Sequence, residues 1–596
     1  MLVGVAVCVL VLRAWSIQIL HGPAYTALAN TQAYRTVDLI GPRGPIVDTK
    51  GRLLAGTTGH VVVAADAAAL GETDTKGWHP TTAGLASLHK LSKLSHVGVP
   101  TLVARIRRSV IRSPFAPAVV LPRPDSGLAW YLDERSESYP GFKVTAIPAR
   151  SYPQGSFGST FLGLLGEISP EMLGTQRYLH ARKGEVVGVS GVEAEYDTLL
   201  NGGFRRAHLR VDSMGRVVGP LQTSPAGRQL PTLRLTIDAR LQRQVDKALK
   251  DGIAAAHANG HTDANAAAAV VMNPWSGAVY ALGSTPTFNQ VAAARDPKYA
   301  TGLYKDPPPN PRLLNQATQG LYPTGSTFKP IVAEAALSEG LITPYSYIPC
   351  TGSFTVGNFT FHNVDPGVNA TMSLPTALAE SCDTWFYRLG DRFYANGSQG
   401  IQRWAKQLGL GHPTGFDVPG EAHGLVPTPA WLRATQHEDW YEGQTINLSI
   451  GQGYLAVTPL QLAVAYSALV NGGTVVRPHV GEAILRGESV QPLHFKPVRK
   501  VKLHDVWAIK QGLYEAAHSP GGTSSSLFAD FPIPVAGKTG TAQAPYGSDH
   551  SWYASWAPSD HPKVVVVVLV AHGGFGAQAA APAAREIYQA YFKLKR

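Results

Sequence analysis

Read for its apolar and polar positions, the chain divides into three textures. The first is an apolar run from Met1 to Leu12, broken by Arg13 and followed by a second apolar patch ending at Leu20. The run is short for a bilayer span and no basic flank precedes it. Ala14-Trp15-Ser16 resembles a signal-peptide cleavage site but comes without the basic n-region such a peptide needs. The expectation is therefore the outer part of a transmembrane anchor over residues 1–20, its start lying upstream, with everything after about Gln18 outside the cytoplasm.

The second texture, residues 21–230, mixes short apolar pairs with turn residues. Ala24 to Thr36 has a helix-like pattern. Gly41-Pro42-Arg43-Gly44-Pro45-Ile46-Val47-Asp48 and Gly51 to Ala55 predict strand and turn, and helical stretches follow near Leu85 to Leu94 and Leu102 to Ile111. Arg150 to Pro153 and Gly188 to Gly202 form another ordered patch, in which the lone arginine and glutamate are expected to be structural ion-pair partners. Ser224 to Pro231 predicts a linker.

Past Leu235 the pattern becomes regular. Asp238 to Leu249 predicts an amphipathic helix capped by Thr236 or Asp238. Ala266 to Met272 and Ala278 to Leu282 predict two strands, and Val535 to Ala544, Ser551 to Ala557 and Val564 to Ala571 predict three more before a closing helix, Ala583 to Leu594. Two strands early and three late predict an α/β (α+β) domain over 231–596, its antiparallel sheet assembled from both ends.

Composition narrows the class. The 596 residues are 44% hydrophobic and 16% charged, which fits folded protein in more than one domain. The net charge of +11 is scattered, so an anionic surface or polymer is a better partner than nucleic acid. Three cysteines exclude a disulfide scaffold.

The candidate chemistry begins at Pro323-Thr324-Gly325-Ser326-Thr327-Phe328-Lys329, where a turn leads into a helix predicted to start at Ser326. Serine and lysine three apart share a helix face, so the Lys329 amine can take the Ser326 proton. Ser381-Cys382-Asp383 and Lys538-Thr539-Gly540-Thr541 follow. Ser381 can relay a proton to a leaving amine, and Asp383 can orient Lys329 or accept a substrate N–H. Lys538 and Thr539 offer charge and a hydroxyl to a carboxylate, and Gly540 lets the strand pass close to a substrate backbone. The N–H groups of Ser326 and Thr541 can form an oxyanion hole. Gly537-Lys538-Thr539 also resembles the end of a phosphate-binding loop, but Pro532 stands where that loop requires glycine.

The order S-x-x-K, S-x-[N/D], K-T-G is that of penicillin-binding proteins and class A β-lactamases. Over nearly its whole length the chain resembles a class B penicillin-binding protein, and Ser381-Cys382-Asp383-Thr384-Trp385-Phe386-Tyr387 is most similar to the elongation-type (rod-shape) subfamily. Arg43 to Ala55, Arg150 to Pro153 and Gly188 to Gly202 resemble its non-catalytic pedestal motifs. Asn447 to Gly453 with Thr458-Pro459-Leu460-Gln461 resembles its S-x-G-Q-G and T-P-L-Q stretch. The resemblance implies a penicillin-binding transpeptidase fold, a five-stranded antiparallel sheet with helices on both faces, preceded by an elongated pedestal and a single-pass anchor in the cell membrane. It implies a D,D-transpeptidase that crosslinks peptidoglycan stem peptides through a serine acyl-enzyme, is trapped by β-lactams and needs no cofactor for the chemistry. A SEDS-family glycosyltransferase (RodA-like) and the elongation machinery are the implied partners. Two alternatives stand beside it. One is a D,D-carboxypeptidase or β-lactamase, although Glu442 lies five residues before Asn447 where a class A lactamase needs four. The other is a non-catalytic β-lactam sensor or scaffold.

Cys350, His362, Asp365 and Cys382 are zinc-ligand types gathered between the nucleophile helix and the Ser381 motif. Some elongation-type relatives carry zinc here, which makes a structural zinc one expectation. A Cys350–Cys382 disulfide and two free thiols are the others.

Overall fold

A computed structural model describes residues 2–25, 34–112, 117–179, 181–210, 222–223, 230–308 and 311–594. Most of the linker expected over 224–231 and of the helix-like stretch 24–36 lies outside them. The apolar start forms α1 (Leu2–Trp15), followed by a π-helical turn at Ser16–Leu20. Fourteen residues rise about 21 Å, and among the described residues no helix is long and apolar enough to cross a membrane.

The pedestal is built on β1 (Ile46–Val47), β2 (Leu53–Ala65), β3 (Ala118–Leu121) and β4 (Phe142–Ser151). β2 pairs with β4 from Gly56↔Ser151 to Ala65↔Phe142, and its last residues also pair with β3. Behind this hairpin a small core gathers Val63, Leu70, Trp78, Leu88, Leu102, Ile106 and Val120. The helices expected near Leu85 and Leu102 form over Thr82–Ser95 and Val99–Arg112 and supply part of it.

At the end of the pedestal, β5 (Thr232–Leu235) pairs parallel with β1. It is followed by α2 (Ala239–Ala258), capped by Asp238, whose carboxylate accepts from the N–H groups of Arg240 and Leu241. Then come β6 (Ala266–Met272), β7 (Val279–Thr285), α3 (Lys329–Ser338), β8 (Tyr347–Thr351), β9 (Asn369–Ser373), α4 (Leu374–Ala379), α5 (Asp383–Ala395), α6 (Glu442–Ser449) and α7 (Pro459–Val470). After β10 (Gly481–Arg486), β11 (Ser489–Pro492) and α8 (Val506–His518), the chain closes with β12 (Ala536–Ala542), β13 (His550–Ala557), β14 (Val564–Ala571) and α9 (Ala580–Phe592).

The catalytic sheet has the order β7-β6-β14-β13-β12 with every pairing antiparallel. Its central strands are buried on both faces, which is why β14 is an almost unbroken valine run. Alternate residues serve two cores. Val564, Val566, Val568 and Val570 pack with Val245, Leu249, Ala584 and Ile587 of α2 and α9, while Val565, Val567 and Leu569 pack with Ile331, Val332, Leu460 and Val464 of α3 and α7. Helices thus cover both faces, as the resemblance implied.

A second sheet crosses the expected boundary at residue 230. β5 pairs not only with β1 of the pedestal but, on its other side, antiparallel with β10, giving a seven-stranded sheet β11-β10-β5-β1-β2-β3 with β4 joined to β2. Polar bonds reinforce the seam. Asp48 accepts from Ala239 N (3.1 Å) and from Arg52 Nε (2.6 Å), and Arg52 also reaches Asp238 (2.7 Å). Tyr196 donates its hydroxyl proton to Asp417 at 2.6 Å, and Asp417 also accepts from Val480 N and Gly481 N.

The arginine and glutamate motifs of the pedestal form one buried network. Arg43 reaches Glu193 (2.6 Å) and Asp197 (2.7 Å), Arg150 reaches Glu193 (2.7 Å), and Tyr152 adds its hydroxyl to the same carboxylate. These residues are structural ion-pair partners, as expected.

Candidate active site

Ser326 lies in a 3-10 turn, Gly325–Phe328, that feeds directly into α3, so the α-helix begins at Lys329 rather than at the serine. Gly325 has φ +53°, and a Cβ there would meet Thr541 O at 2.4 Å. Only glycine lets the nucleophile turn lie this close to β12. Trp552 of β13 donates to Pro323 O and Tyr466 of α7 to Thr327 O, which fixes the turn from both sides.

Lys329 is fully buried, and three acceptors surround its amine: Ser381 O at 2.6 Å, Ser381 Oγ at 3.2 Å and Asp383 Oδ1 at 2.7 Å. Burial pushes the Lys329 pKa down, and the Asp383 carboxylate partly offsets this. The S-x-[N/D] motif is presented by the junction between α4 and α5. Ser381 takes φ +60°, a strained conformation for a residue with a side chain, and it aims the hydroxyl and the carbonyl at the same amine.

Lys538 is likewise fully buried on β12, where its amine donates to Thr539 O at 3.1 Å. Burial and the neighbouring Lys329 hold its pKa well below the ordinary lysine value, against the pull of Asp383. Thr539 donates to Thr523 Oγ1 at 2.9 Å. Thr541 accepts at its hydroxyl from Gly576 N. A Cβ at Gly540 would lie 2.7 Å from Thr324 O and 2.9 Å from Thr327 Cγ2, so the glycine of the K-T-G motif admits the nucleophile turn.

The structure thus brings together Ser326, Lys329, Ser381, Asp383, Lys538, Thr539, Gly540 and Thr541. It also adds two supporting residues. Asn363 accepts from the backbone N–H of Asp383 at 2.7 Å, and Thr523 receives the Thr539 hydroxyl. Both come from loops whose sequence carries no recurrent pattern; only the Gly521-Gly522 pair marks the second as a tight approach.

Of the three readings open for the cysteines, the structure has the disulfide: Cys350 and Cys382 are joined, so neither offers a thiolate to a metal in this state. His362 and Asp365 are exposed, and Asp365 accepts from Gly367 N. Among the described residues no group of three or more His, Cys, Asp or Glu side chains is placed to hold a metal ion. The disulfide ties β8 to the start of α5, beside a pair of bonds between Thr351 and Thr384.

Residues 267–589 match the penicillin-binding protein transpeptidase domain, and residues 39–230 match the penicillin-binding protein dimerisation domain. The chain is 31% identical to the peptidoglycan D,D-transpeptidase MrdA of Haemophilus influenzae, over 77% of this chain and 71% of the relative. It is 32% identical to the MrdA of Escherichia coli K12, over 74% of this chain and 70% of the relative. A protein in a peptidoglycan synthase complex that coordinates polymerization and crosslinking superposes with a TM-score of 0.75 at 29% identity, covering 100% of this chain and 98% of that one. The Helicobacter pylori penicillin-binding protein in its complex with MreC gives a TM-score of 0.76 at 24% identity, covering 94% of this chain and 99% of that one. The chain belongs to the class B penicillin-binding proteins. Its activity is that of a serine-type peptidoglycan D,D-transpeptidase, which crosslinks the cell wall, and it is similar to the rod-shape, elongation-type enzymes.

Proposed function

We propose that Ser326 is the nucleophile of this transpeptidase and that Lys329 is its base. The observation that carries the reading is the convergence of Ser381 and Asp383 on the buried Lys329 amine, one turn from Ser326 and beside β12. Neutral Lys329 takes the Ser326 proton as Oγ bonds to the penultimate D-alanyl carbonyl of the donor stem peptide. The N–H groups of Ser326 and Thr541 hold the oxyanion, and Lys538 with Thr539 holds the terminal carboxylate. The proton passes through Ser381 to the departing nitrogen, the C–N bond breaks, and D-alanine leaves. An acceptor amine then attacks the ester and loses its proton to Lys329, which returns a proton to Ser326 Oγ as the ester C–O bond breaks and the crosslink forms.

Incubation with a penicillin, and separately with donor and acceptor peptides, followed by mass spectrometry, tests the assignment. The expected result is one acyl adduct on Ser326, absent in Ser326→Ala, and a crosslinked product only when both peptides are present. A normal adduct on Ser326→Ala overturns it.

The same reading extends to place and partners. The apolar N-terminal stretch tethers the chain to the cell membrane in a single pass, with the catalytic domain outside the cytoplasm. A SEDS-family, RodA-like glycosyltransferase supplies the glycan strand and contacts the anchor and pedestal. The likeness to a chain from a complex that couples polymerization to crosslinking supports this. Deleting the residues before Gly41 is expected to spare acylation by penicillin and to abolish co-purification with the polymerase; unchanged co-purification refutes the partner contact.

A further inference from the structure

β12 is the last strand of the catalytic sheet, so among the described residues one of its edges has no neighbouring strand. Along a strand the N–H and C=O groups of alternate residues face the same side. Thr541 and Gln543 are two apart, and the side chain of Gln452 takes both of their outward groups. Its Nε2 donates to Thr541 O at 3.4 Å, and its Oε1 accepts from Gln543 N at 3.2 Å. One carboxamide therefore occupies two positions of the edge that an added strand would fill with the N–H and C=O of two successive peptide units.

The loop that carries Gln452 is built to hold it there. Gly451 and Gly453 both have φ +74°, and a Cβ at Gly451 would meet Gly325 O at 2.3 Å. Gly325 N donates to Gly451 O at 3.0 Å and Gln452 N to Asn447 O at 3.0 Å. The loop backbone is thus fixed against the nucleophile turn while the side chain reaches across to the edge of β12. Both carboxamide bonds are longer than the usual 2.9–3.0 Å or so of N–H···O contacts. They are the weak, exchangeable part of an otherwise firm loop.

We propose that Gln452 is a stand-in for the donor peptide. The extended stem peptide adds to the edge of β12 by taking Thr541 O and Gln543 N from Gln452, in the manner of strand addition. The exchange replaces the carboxamide by peptide N–H and C=O groups of the ligand, so it disfavours any ligand that lacks them. Gln452 is then a specificity-determining residue: it covers the edge against casual pairing and yields to an acylated amino group next to the reacting carbonyl. This rests on the reading of Ser326 as the nucleophile beside this edge.

Stopped-flow acylation separates the pre-covalent dissociation constant from the acylation rate constant, using benzylpenicillin, which carries an acylamino side chain, and 6-aminopenicillanic acid, which does not. Gln452→Ala is expected to tighten the benzylpenicillin dissociation constant about three- to tenfold, the scale of one or two weak hydrogen bonds. The acylation rate constant and both constants for 6-aminopenicillanic acid are expected to stay within about twofold of wild type, within the scatter of a single weak bond. Gln452→Glu keeps the length but cannot donate to Thr541 O, so it guards against a folding defect in the alanine variant and is expected to shift the same constant in the same direction. Weaker binding of both ligands, or equal shifts for both, overturns the proposal by making Gln452 a mere prop of the strand. Labelling of Ser326 in these variants distinguishes that failure from a failure of the nucleophile assignment.

Discussion

The molecule buries two clusters of charge, and they are composed differently. In the pedestal, the two guanidinium groups of Arg43 and Arg150 meet the two carboxylates of Glu193 and Asp197. In the active site, the Lys329 amine meets the one carboxylate of Asp383, and the Lys538 amine is buried nearby on the Thr539 carbonyl. The consequences run opposite ways. The pKa of Arg43 is raised, because its two carboxylates outweigh the burial that is the largest single influence on it. Both lysines are pushed down, by burial first of all, and Lys538 also by the neighbouring cation. A balanced cluster is a fastener. A cluster one anion short provides a base, and it has a place ready for a ligand carboxylate.

The sharpest way to break the comparison is to remove one acid from the balanced cluster. Glu193→Gln leaves two buried guanidinium groups with a single carboxylate between them, and a loss of about 3–5 kcal/mol is expected, readable by chemical denaturation. Lys538→Met removes a cation that no carboxylate pairs. Its stability is expected to match or exceed wild type, while acylation by a carboxylate-bearing penicillin falls about 10- to 100-fold in apparent second-order rate, the worth of a charge-assisted bond. A destabilisation like that of Glu193→Gln would show that the site is balanced after all.

Asp383→Asn sharpens the point without breaking it. Asp383 raises the Lys329 pKa against the burial that lowers it, so its neutralisation lowers that pKa further. Lys329 acts in its deprotonated form, so the acid limb of the acylation–pH profile is expected to move to lower pH; a move to higher pH, or none, contradicts the role of base. The smallest effect concerns the cysteines. Thiol titration of the denatured, unreduced protein is expected to find Cys8 alone reactive, with Cys350 and Cys382 appearing only after reduction. Stoichiometric zinc with two further reactive thiols would restore the metal reading.

Much of the catalytic half was legible because its signals are local. A strand buried on both faces must read as a run like Val564 to Ala571, and serine and lysine three apart share a face whether the turn between them is α or 3-10. What escaped depends on pairings between distant residues. β1 has two residues, Ile46 and Val47, too few for any periodicity, yet it joins residues about 190 positions apart. Asn363 and Thr523 act from loops, and the left-handed backbone at Ser381 comes from tertiary packing that no neighbouring residue signals. The cysteines were ambiguous for another reason. A metal and a disulfide use the same residue type at the same spacing, so the sequence does not separate them.

The sheet that crosses residue 230 limits how this chain can be cut or recombined. Severed at that point, a fragment starting at 231 would keep β5 and β10 but lose β1, exposing a row of backbone donors and acceptors that invites pairing with other chains. The pedestal would lose the same partner and the bonds of Asp48 and Tyr196 with it. The seam behaves less like a hinge between modules than like a weld, and a lineage that exchanged either half would have to exchange the matching strand with it.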